Sequence, residues 1–177
     1  MARLSLKRLL RHRLWDEDDA RRALPAEALA RLQQRVADSE ARHSGEIRVC
    51  VEPSLPLSYL WRDADARERA ITMFAKLRVW DTEHNNGVLI YLLLAEHRIE
   101  IVADRALARC VDASHWQSLV DAMREAFRAG RFEQGLEEAI AAVDALLVAH
   151  FPRDAHAAGP RPNELPDAPL LGGAHGH

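Results

Sequence analysis

Hydrophobic and polar positions change period several times along the chain, and the changes mark the predicted elements. Between Leu24 and Ser44 apolar residues recur at helical spacing. From Glu46 to Glu52 they alternate strictly with polar or small residues, the period of a strand that is buried on one face. The pattern therefore predicts a helix followed by a first strand.

The next segments predict one further helix, two strands and two more helices. Helical spacing runs from about Asp63 to Trp80, and Val88 to Ala95 is a continuous apolar run typical of a strand covered on both faces. Alternation returns from Arg98 to Asp104. Two more helical patterns follow, one ending at Gly130 and one running from Phe132 to Phe151.

The order of these elements predicts an α/β fold. The first two strands are joined through a helix and are expected to be parallel, with a right-handed crossover. The second and third strands are separated by only a tight turn and must form an antiparallel hairpin. We predict a small mixed sheet, a parallel βαβ unit plus the hairpin, covered by helices in one domain over residues 24–152.

Both termini differ in composition from this domain. Residues 1–23 form a basic arm in which Leu6, Leu9, Leu10 and Leu14 recur at helical spacing. This amphipathic helix either docks on the domain or makes a weak contact with a membrane surface through residues 1–15. Residues 153–177 are rich in proline and glycine without hydrophobic periodicity, which predicts a disordered tail.

Charge and cysteine content narrow the expected binding partners and cellular location. The net charge of -3 gives no general attraction to nucleic acid, and no nucleic-acid partner is expected. Cys50 and Cys110 form neither a disulfide framework nor a C-x-x-C zinc motif, which favours a reducing, cytoplasmic location. The longest apolar run is far shorter than the about 20 residues of a membrane-spanning helix, so any membrane contact is expected to be peripheral, at the inner face.

The predicted topology brings polar residues to one edge of the sheet. Parallel strands begin at the same edge, and the antiparallel third strand ends there, so Glu46, Asn86 and Asp104 should converge. Oxygen ligands of this kind suit Ca²⁺, Mg²⁺ or Mn²⁺. The candidate metal ligands are Glu46, Asp81, Asn86 and Asp104, with Thr82, His84 and Asn85 in the same loop and Arg48 nearby on the first strand.

A structural explanation of the same residues is also consistent with the sequence. The polar loop can shape a turn through side-chain to backbone hydrogen bonds. Glu46 and Asp104 can form ion pairs with Arg48 and Arg105. The residues alone leave both interpretations open.

Three segments in order and spacing resemble the TPM domain family. They are SGEIRV at Ser44 to Val49, DTEHNNGVLIYLLLAEHRIEIVAD at Asp81 to Asp104, and W-x6-M-x3-F-x2-G-x-F-x2-GL-x2-AI from Trp116 to Ile140. A closing Phe-Pro at Phe151 extends the resemblance over the whole predicted domain.

The resemblance implies a TPM-like α/β sandwich, with the family's site residues at Glu46, Thr82, Asn86 and Asp104. It also implies an acid phosphatase or divalent-metal-binding role. We predict a non-catalytic accessory module that binds a partner through the basic arm and the helical face, and a divalent cation at one sheet edge. The alternative is a metal-dependent hydrolase of phosphomonoesters resembling an acid phosphatase, in which Arg48 or Arg105 would bind phosphate.

Overall fold

Four strands and eight helices form within residues 6–153 and 162–172, the parts of the chain that the computed structural model describes. The strands are β1 (Glu46–Glu52), β2 (Gly87–Leu93), β3 (Arg98–Ala103) and β4 (Leu170–Leu171). The helices are α1 (Leu6–Arg13), α2 (Glu17–Ala23), α3 (Ala26–Glu40), α4 (Leu57–Trp61), α5 (Ala66–Lys76), α6 (Arg105–Ala108), α7 (Ala113–Arg128) and α8 (Phe132–His150). A single 3-10 turn, Leu94–Glu96, joins β2 to β3.

The strands form one mixed sheet in the order β3-β2-β1-β4. β1 and β2 are parallel, with Glu46 opposite Gly87. β2 and β3 are antiparallel, with Val88 opposite Ala103. The predicted mixed α/β sheet is thereby confirmed, and the short β4 adds a further parallel pairing to β1.

Each face of the sheet has its own apolar core. On one face Ile47, Val49 and Val51 pack with residues of α3, α7 and α8. On the other face Cys50 and Tyr91 pack with residues of α5 and with Leu165. All seven residues of β1 are buried, so the expectation of a strand with one exposed face is wrong.

A buried ion pair lies on the α5 face of the sheet. The guanidinium of Arg69 donates to both carboxylate oxygens of Glu52, at 2.8 and 2.6 Å. The hydroxyl of Tyr91 donates to the same carboxylate at 2.7 Å. Burial and the neighbouring negative charge of Glu52 raise the pKa of Tyr91, so its hydroxyl stays protonated as a donor.

Residues 162–172 cover the remaining polar positions of β1. The Arg48 guanidinium donates to the carbonyl of Pro166 at 2.6 Å and also to that of Ala168. The backbone N–H of Leu165 donates to Glu46 Oε2 at 3.2 Å, and the Leu165 side chain is buried. The structure thus differs from the expected disorder at 162–172, while 154–161 and 173–177 lie outside the described residues.

The basic arm docks on the domain through one arginine. The Arg8 guanidinium donates to Glu96 Oε1 at 2.7 Å, to Asp63 Oδ1 at 2.9 Å and to the Ala64 carbonyl at 2.6 Å. The sequence allowed the arm either to dock on the domain or to contact a membrane surface. In the described part of the arm, α1 is docked against the chain around α4. Residues 1–5 lie outside the described ranges.

His12 is a second anchor of α1 and is buried. The N–H of Leu55 donates to its Nδ1 at 3.0 Å, so Nε2 carries the ring proton and faces Glu96 Oε1 at 3.0 Å. Burial alone would raise the pKa of Glu96, but hydrogen bonds from His12 and Arg8 lower it to about 2.

Within the described ranges, the helices are all too short or too polar to cross a membrane.

Replacing Arg69 with methionine is expected to lower the free energy of unfolding by about 3–5 kcal/mol, because Glu52 would remain buried without its partner. Urea denaturation measures the loss. The matched control is Arg35→Met, since Arg35 forms an exposed pair with Glu137 and should change stability by less than about 1 kcal/mol. Equal effects of the two variants would contradict the structural role of the buried pair.

Replacing Glu96 with glutamine is expected to weaken the docking of α1 by about 1.5–3 kcal/mol, because charge-assisted hydrogen bonds from Arg8 and His12 lose their anion. Since the folded-state pKa of Glu96 lies below its ordinary value of 4.5, this contribution is present above pH 4.5 and is lost as the pH falls towards about 2. Hydrogen exchange of the α1 amides reports it. Unchanged protection of α1 in the variant would show that the arm is held by other contacts.

Candidate functional site

The start of β1, the start of β2 and the end of β3 meet at one edge of the sheet. Glu46 lies opposite Gly87 in the register of the parallel pair. The N–H of Asp104 donates to the Gly87 carbonyl at 2.8 Å, and the N–H of Ala106 donates to the Asn85 carbonyl at 3.0 Å. The backbone therefore gathers the three segments that the topology predicted would converge.

The loop before β2 has a conformation that depends on its Asn-Gly sequence. Asn85 has a φ of 51°, in the left-handed region that asparagine tolerates better than most residues. A Cβ at Gly87 would lie 2.1 Å from the carbonyl oxygen of Val79, so only glycine fits there. The Thr82 hydroxyl accepts the N–H of Asn86 at 3.3 Å, which holds the loop at the strand entrance.

Two oxygens at this edge are buried and have no hydrogen-bond partner among the described residues. They are Asn86 Oδ1 and Asp104 Oδ2. The other side-chain atoms of both residues are used: Asn86 Nδ2 donates to Ser44 Oγ at 3.2 Å, and Asp104 Oδ1 accepts the N–H of Arg105 at 2.7 Å. Buried acceptors without donors are costly, and a cation would satisfy them.

The remaining predicted residues are engaged elsewhere. Glu46 accepts from the N–H of Leu165, and Asp81 forms an exposed ion pair with Arg78. Asn85 Oδ1 accepts two hydrogen bonds from the Arg105 guanidinium, at 3.1 and 2.6 Å. The oxygens of the predicted set are thus divided between structural contacts and the two atoms without a partner.

The donor set at the edge fits a hard cation only in part. Over residues 6–153 and 162–172, no three histidine, cysteine or acidic side chains are grouped as a metal site would require. Asn86 and Asp104 offer one amide oxygen and one carboxylate oxygen, and Ca²⁺ takes six to eight oxygen ligands. A cation held there would draw its further ligands from backbone carbonyls or water.

Three side chains that could take part in hydrolysis, the thiols of Cys50 and Cys110 and the guanidinium of Arg48, are buried or bonded to backbone carbonyls. Cys50 is fully buried, and desolvation raises the pKa of its thiol, which disfavours the reactive thiolate. The Arg48 guanidinium is buried and hydrogen-bonded to carbonyls, and desolvation lowers its pKa. Cys110 is exposed, and its thiol donates to the carbonyl of Ala106, four residues earlier, at 3.3 Å.

Sequence reasoning missed a buried polar cluster between α3 and α8. The Ser39 hydroxyl donates to Asp144 Oδ1 at 2.8 Å and lies 2.9 Å from His43 Nε2, while Arg42 pairs with the other oxygen of Asp144. The hydroxyl proton points to the carboxylate, and Ser39 is 2 % exposed, so no substrate can reach it. The only sequence signal was the i, i+4 spacing of Ser39 and His43, and the cluster serves to join two helices.

A cavity of about 540 Å³ was also missed by sequence reasoning. It lies between β3 and α7, and its lining includes Ala103 and Ala108, on either side of the segment that begins at Asp104. Its polar rim includes Arg67, Arg98 and Arg124. The one sequence signal was that β3 is the last strand of the hairpin. This position leaves one strand edge open next to the cavity.

Comparison with known proteins gives a consistent result. The model of the TPM domain family matches residues 18–146 of the chain. The NMR structure of the BA42 protein from the psychrophilic bacterium Bizionia argentinensis is similar, with 29% sequence identity and a TM-score of 0.71. That similarity covers 85% of this chain and 95% of BA42. Among curated proteins, none matches the sequence.

The family model spans more than half of the chain and includes all of β1, β2 and β3. The fold of BA42 agrees with the mixed sheet and its covering helices. This chain therefore belongs to the TPM domain family.

Proposed function

We propose that this chain is a non-catalytic accessory module of the TPM type that binds a divalent cation at the edge formed by Asn86 and Asp104. The observation that carries the proposal is the pair of buried oxygens, Asn86 Oδ1 and Asp104 Oδ2, without hydrogen-bond donors among the described residues. Both are hard ligands suited to Ca²⁺, Mg²⁺ or Mn²⁺.

The local backbone supports a cation at this position. Asp104 directly follows β3 and caps α6, so its carboxylate is fixed at one oxygen while the other remains available. Asn86 is completely buried and tethered through its amide nitrogen to Ser44. Ligands that are already held in place lose little conformational entropy on binding.

The same contacts disfavour hydrolysis of phosphomonoesters. Besides a metal ion, that reaction is helped by a side-chain cation that binds the phosphate, and the two arginines that the sequence offers for this role are engaged. Arg48 is covered by residues 166–168, and Arg105 is bonded to Asn85. A binding role is therefore the better supported of the two functions.

Calorimetric titration of metal-stripped protein with Ca²⁺, Mg²⁺ and Mn²⁺ tests the cation site. We expect saturable binding of at least one ion and at least tenfold weaker binding by Asp104→Asn, because the substitution removes the anionic ligand at nearly constant shape. Wild-type protein incubated with the bound ion and p-nitrophenyl phosphate should show no turnover above the blank.

The control is Asp65→Asn, which removes a carboxylate of the same kind from the N-terminus of α5. Asp65 accepts the N–H of Glu68 at 2.8 Å and has the capping role that Asp104 has for α6. Affinity should be unchanged in the control. Absence of heat with every ion, or equal weakening by both variants, would rule out the site, and ion-dependent turnover lost in Asp104→Asn would favour the hydrolase.

A peripheral membrane contact is the second candidate role, and one observation favours it. Although α1 is docked through Arg8 and His12, Leu6, Leu10 and Leu14 remain 68%, 54% and 76% exposed. These side chains form one stripe, and the flanking exposed residues Lys7, Arg11 and Arg13 are cationic. Apolar stripes with cationic neighbours bind anionic lipid surfaces.

Co-sedimentation with vesicles measures this contact. We expect binding to vesicles rich in phosphatidylglycerol and little binding to pure phosphatidylcholine, because the flanking cations need an anionic surface. Leu6→Ser combined with Leu10→Ser should reduce the partition about tenfold, since two apolar side chains would no longer enter the interface.

The matched control is Ile71→Ser, which removes an apolar side chain of similar exposure, 52%, from α5. It should leave the partition unchanged. Equal binding of the double leucine variant and the wild type would show that α1 does not contact the bilayer.

A further inference from the structure

β3 lies at the edge of the sheet, and within the described ranges no strand pairs with its outer side. The N–H of Asp104 donates inward to Gly87 at 2.8 Å. Because antiparallel pairing alternates with a period of two, the backbone groups of Ile99, Ile101 and Ala103 point outward. The Arg67 guanidinium donates to the Ile101 carbonyl at 2.6 Å, as expected for an outward-facing acceptor.

The outer side of β3 opens into the cavity of about 540 Å³ that we call the β3 groove. Its volume lies within the range of roughly 300–1,000 Å³ that is usual for ligand sites. Trp116, Val120 and Arg124 line it from α7 at i, i+4 and i+8, so they form one stripe along the helix. The groove therefore runs beside a strand edge and is walled by a helix.

The two faces of β3 differ in chemistry along this groove. Ile99 and Ile101 belong to the core on the α7 side, where Trp116 and Val120 add apolar surface. Glu100 lies on the opposite face, with Arg98 at 3.1 Å and Arg67 at 3.7 Å. Burial raises the pKa of Glu100, and Asp65 lies near enough for its negative charge to raise it too. The charged residues that line the groove itself are three arginines, Arg67, Arg98 and Arg124, and one carboxylate, Glu100, so its lining carries a net positive charge.

A strand added to β3 would continue this alternation, because side chains directly opposite each other in a sheet share a face. Alternate residues of the added strand would lie beside Ile99, Ile101 and the apolar stripe of α7. The residues between them would lie beside Arg67 and Arg98. An apolar–acidic alternation matches both environments.

We propose that the β3 groove binds an extended acidic peptide segment of a partner protein by strand addition, with apolar and acidic side chains alternating. Main-chain hydrogen bonds to Ile99, Ile101 and Ala103 supply affinity, and the α7 stripe and the arginines select the sequence. Arg67 then exchanges the Ile101 carbonyl for an acidic side chain of the peptide.

The probe is a fluorescein-labelled hexapeptide, (Val-Glu)₃, titrated into the full chain and followed by fluorescence anisotropy. We expect saturable binding and at least tenfold weaker binding of (Val-Lys)₃. Arg98→Glu should weaken (Val-Glu)₃ at least fivefold, while Arg128→Glu, an exposed position of α7 outside the groove, should not. In the bound state, the amides of Ile99, Ile101 and Ala103 should exchange more slowly with solvent.

Two N-methylated peptides separate strand addition from binding through side chains alone. One carries methyl groups on the valine amides and the other on the glutamate amides, so each removes one alternate set of N–H donors. Strand addition requires that one set faces β3 and the other faces solvent, so one peptide should bind at least tenfold more weakly than the other.

Equal binding of the two methylated peptides would overturn the proposal, as would absence of binding by (Val-Glu)₃. A concentration-dependent dimer of the chain that excludes the peptide would also overturn it, because the edge would then belong to a second copy. Sedimentation velocity measures that dimer over the protein concentrations used in the titration.

Discussion

Charged residues on a strand that is buried on both faces determine how the rest of the chain is arranged. Glu46, Arg48 and Glu52 share one face of β1, and all three are buried. Burying a charge is costly unless it is paired or hydrogen-bonded, so each requires a partner inside the protein. Arg69 of α5 pairs with Glu52, and backbone groups near Pro166 form hydrogen bonds with the other two. These partners come from distant parts of the sequence. The face of the sheet that carries Glu46, Arg48 and Glu52 is therefore covered through polar contacts as well as through its apolar cluster.

The sequence predicted the elements whose period is regular and missed those that depend on a partner. The bounds of β1 were predicted at Glu46–Glu52, because strict alternation is a strong local signal. The ordering of residues 162–172 was not predictable in the same way. That segment has no hydrophobic period, and it is held by backbone groups that accept from Arg48 or donate to Glu46. Every backbone has such groups, so composition carries no sign that they are used.

A similar division applies to the candidate site. Topology was sufficient to predict that the segments around Asn86 and Asp104 meet, because strand direction fixes which ends share an edge. The allocation of side chains within the edge was not predictable. The sequence allows Arg105 to pair with its neighbour Asp104, whereas in the structure its guanidinium donates to Asn85 Oδ1 in the loop. The β3 groove depends on the lateral position of α7, which helical periodicity does not encode.

The cation site and the β3 groove both follow from one requirement, the satisfaction of backbone and side-chain polar groups. At the edge, Asn86 and Asp104 present oxygens that need a donor or a cation. Along β3, outward-facing N–H and C=O groups need a strand or solvent. Asp104 connects the regions physically, because it terminates β3 and caps α6, and Ala108 of α6 lines the groove. A cation that fixes Asp104 would thus also fix one end of the groove, and linkage requires that any resulting change in affinity be reciprocal.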